Sequence, residues 1–306
     1  MHASSDRSTD VPQDRLSIGA EQRLWTPWRM RYVGGGASEG GCIFCRRRDA
    51  DDDVASLILH RGRHAFMIMN LYPYNTGHLM LVPNEHVAGP EDAIPDALAE
   101  MAEFLPPTLR ALRRVLHCGG FNIGINVGGI AGAGVADHLH EHVVPRWEGD
   151  ANFMPIVAST MVLPELIPIT YAKLRAEIVR EFEGTTRVPC VVLCDHEVFV
   201  LEDESPRGGH LPIAGAGSEE SLAEAALRRA REVTGNDAEI VGWAGSTSTE
   251  DGEVGLTLKV AGRNSAELAP VMYGRWMPVA DAPLPPDDRV IVARALSRLA
   301  PVTATP

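Results

Sequence analysis

"DHLHEHVVPRW", Asp137 to Trp147, sets histidines at every second position: His138, His140 and His142. In a β-strand side chains alternate faces, so i, i+2 and i+4 share one face, with successive members about 7 Å apart. Val143-Val144-Pro145, which follows, predicts a strand that stops at the proline. Three imidazoles on one face suit three chemistries: a metal site, a histidine nucleophile with helpers, or an anion site built of protonated rings. A histidine-rich surface strand is the alternative, and the strict period of two argues against it.

The flanking segments set this strand in a sheet. "HAFMIMNLYPYNTGHLMLVPNEHV" (His64–Val87) reads as strand, turn, strand, with the turn chemistry at Tyr72–Gly77. "DALAEMAEFLPPTLRALRRVL" (Asp96–Leu116) has helical periodicity, and Pro106-Pro107 predict a break or kink in it. "FNIGINVGGIAGAG" (Phe121–Gly134) reads as a strand followed by a glycine-rich loop. Sheet, helix, sheet is an α+β pattern. A helix over Leu166–Phe182 then bridges to a second unit that starts near Thr186. "RVPCVVLCDHEVFVLED" signals a hairpin turning at Asp195-His196. "SLAEAALRRAREVTG" predicts a helix capped by Ser221, completed as a capping box by Glu224 and stopped by Gly235. Strands near Glu239–Ala244 and Gly255–Ala261 and an amphipathic helix in "RVIVARALSRLA" complete the unit. The expected division is a disordered tail over 1–20, one domain over 21–165, a connector over 166–185 and a second domain over 186–306.

The chain has 306 residues, 45% hydrophobic, enough for two ordinary domains. Its net charge of −13, from 28 basic and 41 acidic residues, argues against binding polymeric nucleic acid, which needs a positive surface. A small basic pocket for one nucleotide remains compatible. No run of 18 apolar residues is present, so no membrane span is expected, and "MHASSDRSTDVPQDRLS" has no apolar core to act as a secretory signal. Five cysteines, an odd number, fit a reducing cytoplasmic home.

Cys42 and Cys45 form a C-x-x-C in "GGCIFCRRRD". A redox motif would open a helix after a strand, whereas this one follows glycines in a loop-like setting, which favours metal. Structural zinc takes four sulfur and imidazole ligands. Cys42 and Cys45 supply two, and His86, at the end of a predicted strand, and His138 complete a Cys2His2 set. His140 is then left for chemistry.

"HLHEHVV", preceded by "NLYPYNTGHLMLVP" and by the C-x-x-C, resembles the histidine triad superfamily of nucleotide hydrolases and transferases. "LWTPWRMRYV…CIFC" and "HVVPRWEGDANFM" look like its prokaryotic branch of diadenosine tetraphosphate phosphorylases and hydrolases. The resemblance spans about Arg23 to Glu165. It implies that His140 attacks an α-phosphate to form a nucleotidyl-histidine, that His142 helps hold the phosphate, that Asn70 contacts the ribose and that His78 lies near the phosphates. It implies the same four zinc ligands. Backbone N–H groups of the Gly128–Gly134 loop, Gly132 and Gly134 included, can approach an anion, with Asn126 in reach and Trp147 nearby. Family members are often homodimers. Two positions depart from the pattern. Glu141 replaces an apolar residue and should face the opposite side, and Gly134 stands where relatives carry a polar residue that touches the phosphate bridge.

"GGHLPIAGAGSEESLAEAALRRAREVTG" resembles the Nudix box, and "GRWMPVADAPLP" fits such a domain, an α/β/α sandwich. Aligned on Gly235, the box retains Glu220, Arg228 and Glu232, but Arg229 and Val233 replace acids and Ala214 replaces the leading glycine. Mg²⁺ needs several oxygen ligands, so the resemblance implies an inactive domain. The sequence thus points to a nucleotide hydrolase, or a nucleotidyltransferase acting on phosphate or a metabolite. The alternatives are a non-catalytic nucleotide-binding regulator and a hydrolytic zinc site using all three histidines.

Overall fold

In a computed structural model, residues 41–150, 165–202, 208–245, 255–260 and 274–299 are described. The N-terminal tail, the Gln22–Val33 segment and Ala151–Met154 of the quoted motifs lie outside them.

Two short helices come first, α1 (Ile43–Arg48) and α2 (Asp53–Ser56), and then β1 (Ile58–Arg61), β2 (Ala65–Met69) and β3 (Leu79–Pro83). The long helix α3 (Pro95–Leu116) leads to β4 (Gly120–Ile125) and β5 (Glu141–Arg146). The strands form one antiparallel sheet in the order β1-β2-β3-β5-β4. Met69 pairs with Leu79, which closes the expected strand–turn–strand.

Three expectations about local structure are corrected. The histidine strand begins only at Glu141, after His138 and His140, because residue 139 donates its N–H to the Val87 carbonyl (2.6 Å) rather than to a neighbouring strand. The strand also continues through Pro145 to Arg146, with Pro145 opposite Phe121 on β4. Helix α3 runs unbroken through Pro106 and Pro107. The carbonyls these prolines leave unpaired belong to Ala102 and Glu103, which are exposed, so water can satisfy them.

The bridging helix α4 (Ile167–Glu183) is followed by β6 (Arg187–Cys194), β7 (Glu197–Glu202), β8 (Gly209–His210) and β9 (Ile213–Gly215). Helix α5 (Leu222–Thr234), β10 (Ala238–Gly245), β11 (Gly255–Val260), β12 (Gly274–Pro278) and α6 (Pro286–Leu299) complete the described residues. The sheet order is β10-β11-β6-β7-β12, with β11 parallel to β6 and the other pairs antiparallel. Asp195, at φ +53°, makes the predicted β6–β7 turn. Ser221 and Glu224 form the predicted capping box, and Gly235 closes α5 at φ +70°.

Strand alternation explains the layering. Cys190 and Val192 share one buried cluster with Tyr171 and Leu174 of α4 and Ala226 of α5, whereas Val191 and Leu193 pack with Ile291, Val292 and Ala295 of α6. The second sheet is therefore covered by helices on both faces. Buried residues also run without a gap from Met67, Leu112 and Val143 of the first sheet through α4 to Trp243 of the second. Ion pairs reinforce that seam: Arg114 of α3 meets Glu177 (2.7 Å) and Glu181 (2.9 Å) of α4, and buried Glu177 accepts from the Leu222 N–H that opens α5.

Candidate active site and metal cluster

The four residues of the Cys2His2 set come together. Cys42 caps α1 and Cys45 lies in its first turn, so the C-x-x-C opens a helix rather than sitting in a loop. His86 lies three residues beyond β3, and His138 precedes β5. Cys42 Sγ is 3.2 Å from His138 Nδ1, Cys45 Sγ is 3.5 Å from His86 Nδ1 and 3.6 Å from His138 Nδ1, and the two Nδ1 atoms are 3.3 Å apart. Zinc bond lengths in a tetrahedron give ligand separations of about 3.3 Å between nitrogens and about 3.5 Å from nitrogen to sulfur. All four donor atoms lie within 4.8 Å of one another, so the group fits a metal ion. The protonation chemistry agrees. Burial lowers the His138 pKa, which keeps the ring neutral. Burial and then the neighbouring Cys42 raise that of Cys45, as expected where thiolates are crowded without a cation. His138 Nε2–H donates to the Pro83 carbonyl (3.0 Å), which leaves Nδ1 as the ligand atom.

His140 is buried beside this cluster. Its Nδ1 is 2.8 Å from the His138 carbonyl oxygen, so Nδ1–H donates and the lone pair rests on Nε2. Burial lowers its pKa, against the opposing effect of that hydrogen bond, and a neutral imidazole is the nucleophilic form. Phe44, between the two cysteines, packs on the rings of His138 (5.4 Å) and His140 (5.1 Å).

His142 lies 4.9 Å from His140, ring to ring. His78 Nδ1 accepts the Tyr74 backbone N–H (3.0 Å), which puts its proton on Nε2. Nε2–H then donates to His142 Nδ1 (3.0 Å), so the His142 proton sits on its own Nε2. Two linked rings thus carry a backbone donor's polarity towards the position beside His140. Asn70 reaches His78 Nδ1 at 3.4 Å and holds Tyr72 N–H on its side-chain oxygen (2.9 Å). Gly124 stands opposite His142 on β4, and nothing would meet a Cβ there.

The remaining expected residues are placed as follows. Gly132 takes φ +86° at the end of the Gly129–Ala131 turn, in an exposed loop with Gly134. Asn126 is half-buried at the start of that loop. Trp147 packs against the first sheet's core, with its indole N–H on the Leu116 carbonyl (3.2 Å), and among the described contacts it meets none of the histidines. Glu141 faces away from His142, as alternation requires, but is half-buried, and burial raises its pKa.

Sequence reading passed over a clamp behind the site. The Asp150 carboxylate accepts from Arg146 Nε (2.7 Å) and Nη2 (2.6 Å), Trp147 N–H (3.0 Å) and Asn75 Nδ2 (3.0 Å). Its pKa is lowered to about 2, chiefly by Arg146. The clamp ties the end of β5 to the turn that carries Tyr74 and His78. Only the polar Asn75 in that turn could have pointed to it.

Comparison with known proteins points to a family. A profile described as the HIT domain matches residues 53–149. An AP-4-A phosphorylase of Mycobacterium tuberculosis is 39% identical over 168 residues, which cover 52% of this chain and 86% of that protein. An asymmetrical bis(5'-nucleosyl)-tetraphosphatase of Schizosaccharomyces pombe is 28% identical over 35% of this chain and 59% of its own length. Among solved structures, a Zn-bound histidine triad family protein from Mycobacterium smegmatis is 26% identical, covering 47% of this chain and 98% of that one at a TM-score of 0.38. With a relative this similar matched over most of its length, and with the triad and its supporting residues assembled, the chain belongs to the histidine triad (HIT) family.

Proposed function

We propose that this chain is an enzyme that cleaves a dinucleoside polyphosphate, or a related nucleotide conjugate, through a nucleotidyl-histidine at His140. The observation that carries the reading is the Nδ1–H of His140 held on the His138 carbonyl at 2.8 Å, which aims a lone pair from Nε2 beside His142. Nε2 attacks the α-phosphorus, the bond to the bridging oxygen breaks, and its electron pair leaves with the nucleoside polyphosphate. Water or inorganic phosphate then attacks the same phosphorus, and the P–N bond returns its pair to Nε2. Water gives a nucleoside monophosphate and phosphate gives a diphosphate. The names of the mycobacterial and yeast relatives support a polyphosphate-bridged substrate.

In this reading His142 Nε2–H donates to the phosphoryl oxygens, His78 fixes the His142 tautomer, Asn70 meets the ribose, and loop N–H groups near Gly132 and Gly134, with Asn126, line the anion. Trp147 acts as a support for the β5 end. Cys42, Cys45, His86 and His138 hold a zinc ion whose chemistry is structural, cross-linking α1 to the first sheet. A cytoplasmic home and a homodimeric state belong to the same proposal. Among the described residues no helix is long and apolar enough to cross a membrane.

The test is His140→Asn with diadenosine tetraphosphate, with and without phosphate. Turnover should fall by about 10⁴-fold or more while nucleotide still binds. Rapid quenching of the wild type should trap an acid-labile, alkali-stable nucleotidyl-protein. A mutant that keeps more than a few per cent of activity places the nucleophile elsewhere. A wild type that binds nucleotide and turns over no dinucleotide supports a regulator instead.

A further inference from the structure

A cavity of about 330 Å³ opens at the seam between the two sheets, lined by residues that belong neither to the histidine site nor to the metal cluster. Its lining sets both signs of charge side by side. Arg294 and Arg298, one turn apart on the same face of α6, and Arg175 of α4 are basic. Asp51, Asp52 and Asp53, where α2 begins, are acidic, with Asp52 4.0 Å from Arg298 and Asp53 3.6 Å from Arg175.

Arg298 and Arg175 are only partly engaged. Arg298 donates to the Trp243 carbonyl (3.0 Å), and its other nitrogen stands 4.0 Å from Asp52, beyond hydrogen-bond reach. Arg175 donates to the Leu59 carbonyl and stands 3.6 Å from Asp53. A guanidinium carries five N–H donors, so both retain donors towards the cavity. The wall is shaped for the third. Gly245 sits at φ +97°, and a Cβ there would come within 3.1 Å of Arg294 Nη1 and 3.2 Å of its Cδ. A larger residue there would shift the Arg294 side chain along the wall. Of the aspartates, Asp52 uses Oδ1 to cap α2, on Val54 N–H (2.9 Å) and Ala55 N–H (3.2 Å). Asp51 is exposed, and no hydrogen bond or ion pair engages it among the described residues.

Carboxylates only accept hydrogen bonds, so they repel a phosphate but take hydroxyl groups, whereas guanidinium groups bind phosphate oxygens in pairs. Trp243 is almost wholly buried, so its ring offers little surface on which a base could stack. We propose that this cavity binds a sugar phosphate, free or as part of a nucleotide, with the phosphate on Arg294 and Arg298 and the sugar hydroxyls on Asp51 and Asp52. Such a ligand would bridge the triad half and the C-terminal half of the chain.

The experiment is calorimetric titration of the full chain with ribose 5-phosphate, AMP and inorganic phosphate, in wild type, Arg298→Gln, Asp51→Asn and His140→Asn. Ribose 5-phosphate should bind at one site per chain. Binding should weaken by about tenfold or more in Arg298→Gln, weaken in the exposed-site variant Asp51→Asn, and stay unchanged in His140→Asn. Inorganic phosphate should bind about tenfold more weakly than ribose 5-phosphate. Arg298→Lys, which keeps the charge, controls for folding through its melting temperature. A second AMP site removed by Arg298→Gln identifies a nucleotide as the source, and a site that takes only ribose 5-phosphate identifies a free sugar phosphate. The proposal is overturned if neither ligand binds in the millimolar range, if binding survives Arg298→Gln but not His140→Asn, or if phosphate alone binds as tightly.

Discussion

His138 serves two sites at once. Its ring nitrogen Nδ1 belongs to the Cys2His2 group, and its carbonyl oxygen orients His140. The Cys2His2 group and the proposed nucleophile therefore share one residue, so losing a bound ion should disturb more than stability. Replacing Cys42 and Cys45 together by serine is expected to remove about one zinc per chain and to lower the melting temperature by roughly 5–10 °C. It should also reduce kcat more than it changes KM. Metal analysis, melting curves and steady-state kinetics check this, and a metal-free wild type of full stability and activity would rule out the zinc assignment. The His78–His142 relay makes a second prediction. His142→Ala deletes the donor itself and should lower kcat by about 10²-fold. His78→Ala leaves the donor but frees its tautomer, and a smaller loss of about tenfold is expected. Equal losses would mean that the two rings act as one unit rather than as donor and support.

Elements rather than single residues decide how β1 is held. His60 on β1 stacks on Phe182 at the end of α4 (4.0 Å) and meets Phe104 of α3 edge-on (5.2 Å). Burial, followed by the nearby Arg175 charge, pushes its pKa down to about 4. The folded pKa lies below the ordinary value, so folding favours the neutral ring, and this contribution is lost as pH falls from about 6.5 towards 4. His60→Phe keeps the stack and removes the charge. The wild type should therefore lose melting temperature relative to this variant across that window, and parallel curves would show that His60 does not titrate as buried. At the other edge, β4 has no partner beyond β5 among the described strands, and it exposes Ile123 and Ile125, with Val127 just after it. An apolar open edge is where a second copy would add, so Ile125→Lys should convert the expected homodimer to monomer in sedimentation, with no change if the contact lies elsewhere. Hairpins and caps such as Asp195 and Ser221 were legible in the sequence because turn and cap chemistry is local. The first two histidines lie outside the strand because the segment before Glu141 bonds Val87 and Pro83 instead of a ladder, and a period of two in sequence does not show which partner the backbone takes. The Cys2His2 group that the structure brings together was legible from residue type and the C-x-x-C spacing. Phe44 on His140, and Asp150 on Asn75, were not, because contacts made across so many residues leave no local pattern.

At the scale of the whole molecule, the question is whether the C-terminal half holds a second active site. We propose that it is a Nudix-like domain without metal-dependent chemistry, and the charges on α5 supply the physical reason. The two acids retained from the resemblance, Glu220 and Glu232, do not face an open metal position. Arg228 bridges them at 2.8 and 2.9 Å, and Arg229 adds a contact to Glu232 at 3.3 Å. Arg228 lowers the pKa of both acids and Arg229 adds to the effect at Glu232, so the carboxylates are charged but already paired. Mg²⁺ would have to displace a guanidinium and lose water for two carboxylates where several are needed. The half is also not separable in any simple way, since one buried cluster runs from Met67 through Tyr171 to Trp243, and an isolated fragment would expose it. The test therefore uses the full chain with the histidine site silenced by His140→Asn, assayed with Mg²⁺ or Mn²⁺ on nucleoside diphosphate conjugates. No metal-dependent hydrolysis is expected, and Glu220→Gln and Glu232→Gln in the otherwise native chain should change dinucleotide turnover by less than about twofold, because exposed ion pairs contribute little. Hydrolysis that survives His140→Asn and disappears with Glu232→Gln would show that Arg228 yields to a metal ion and that α5 carries a working site.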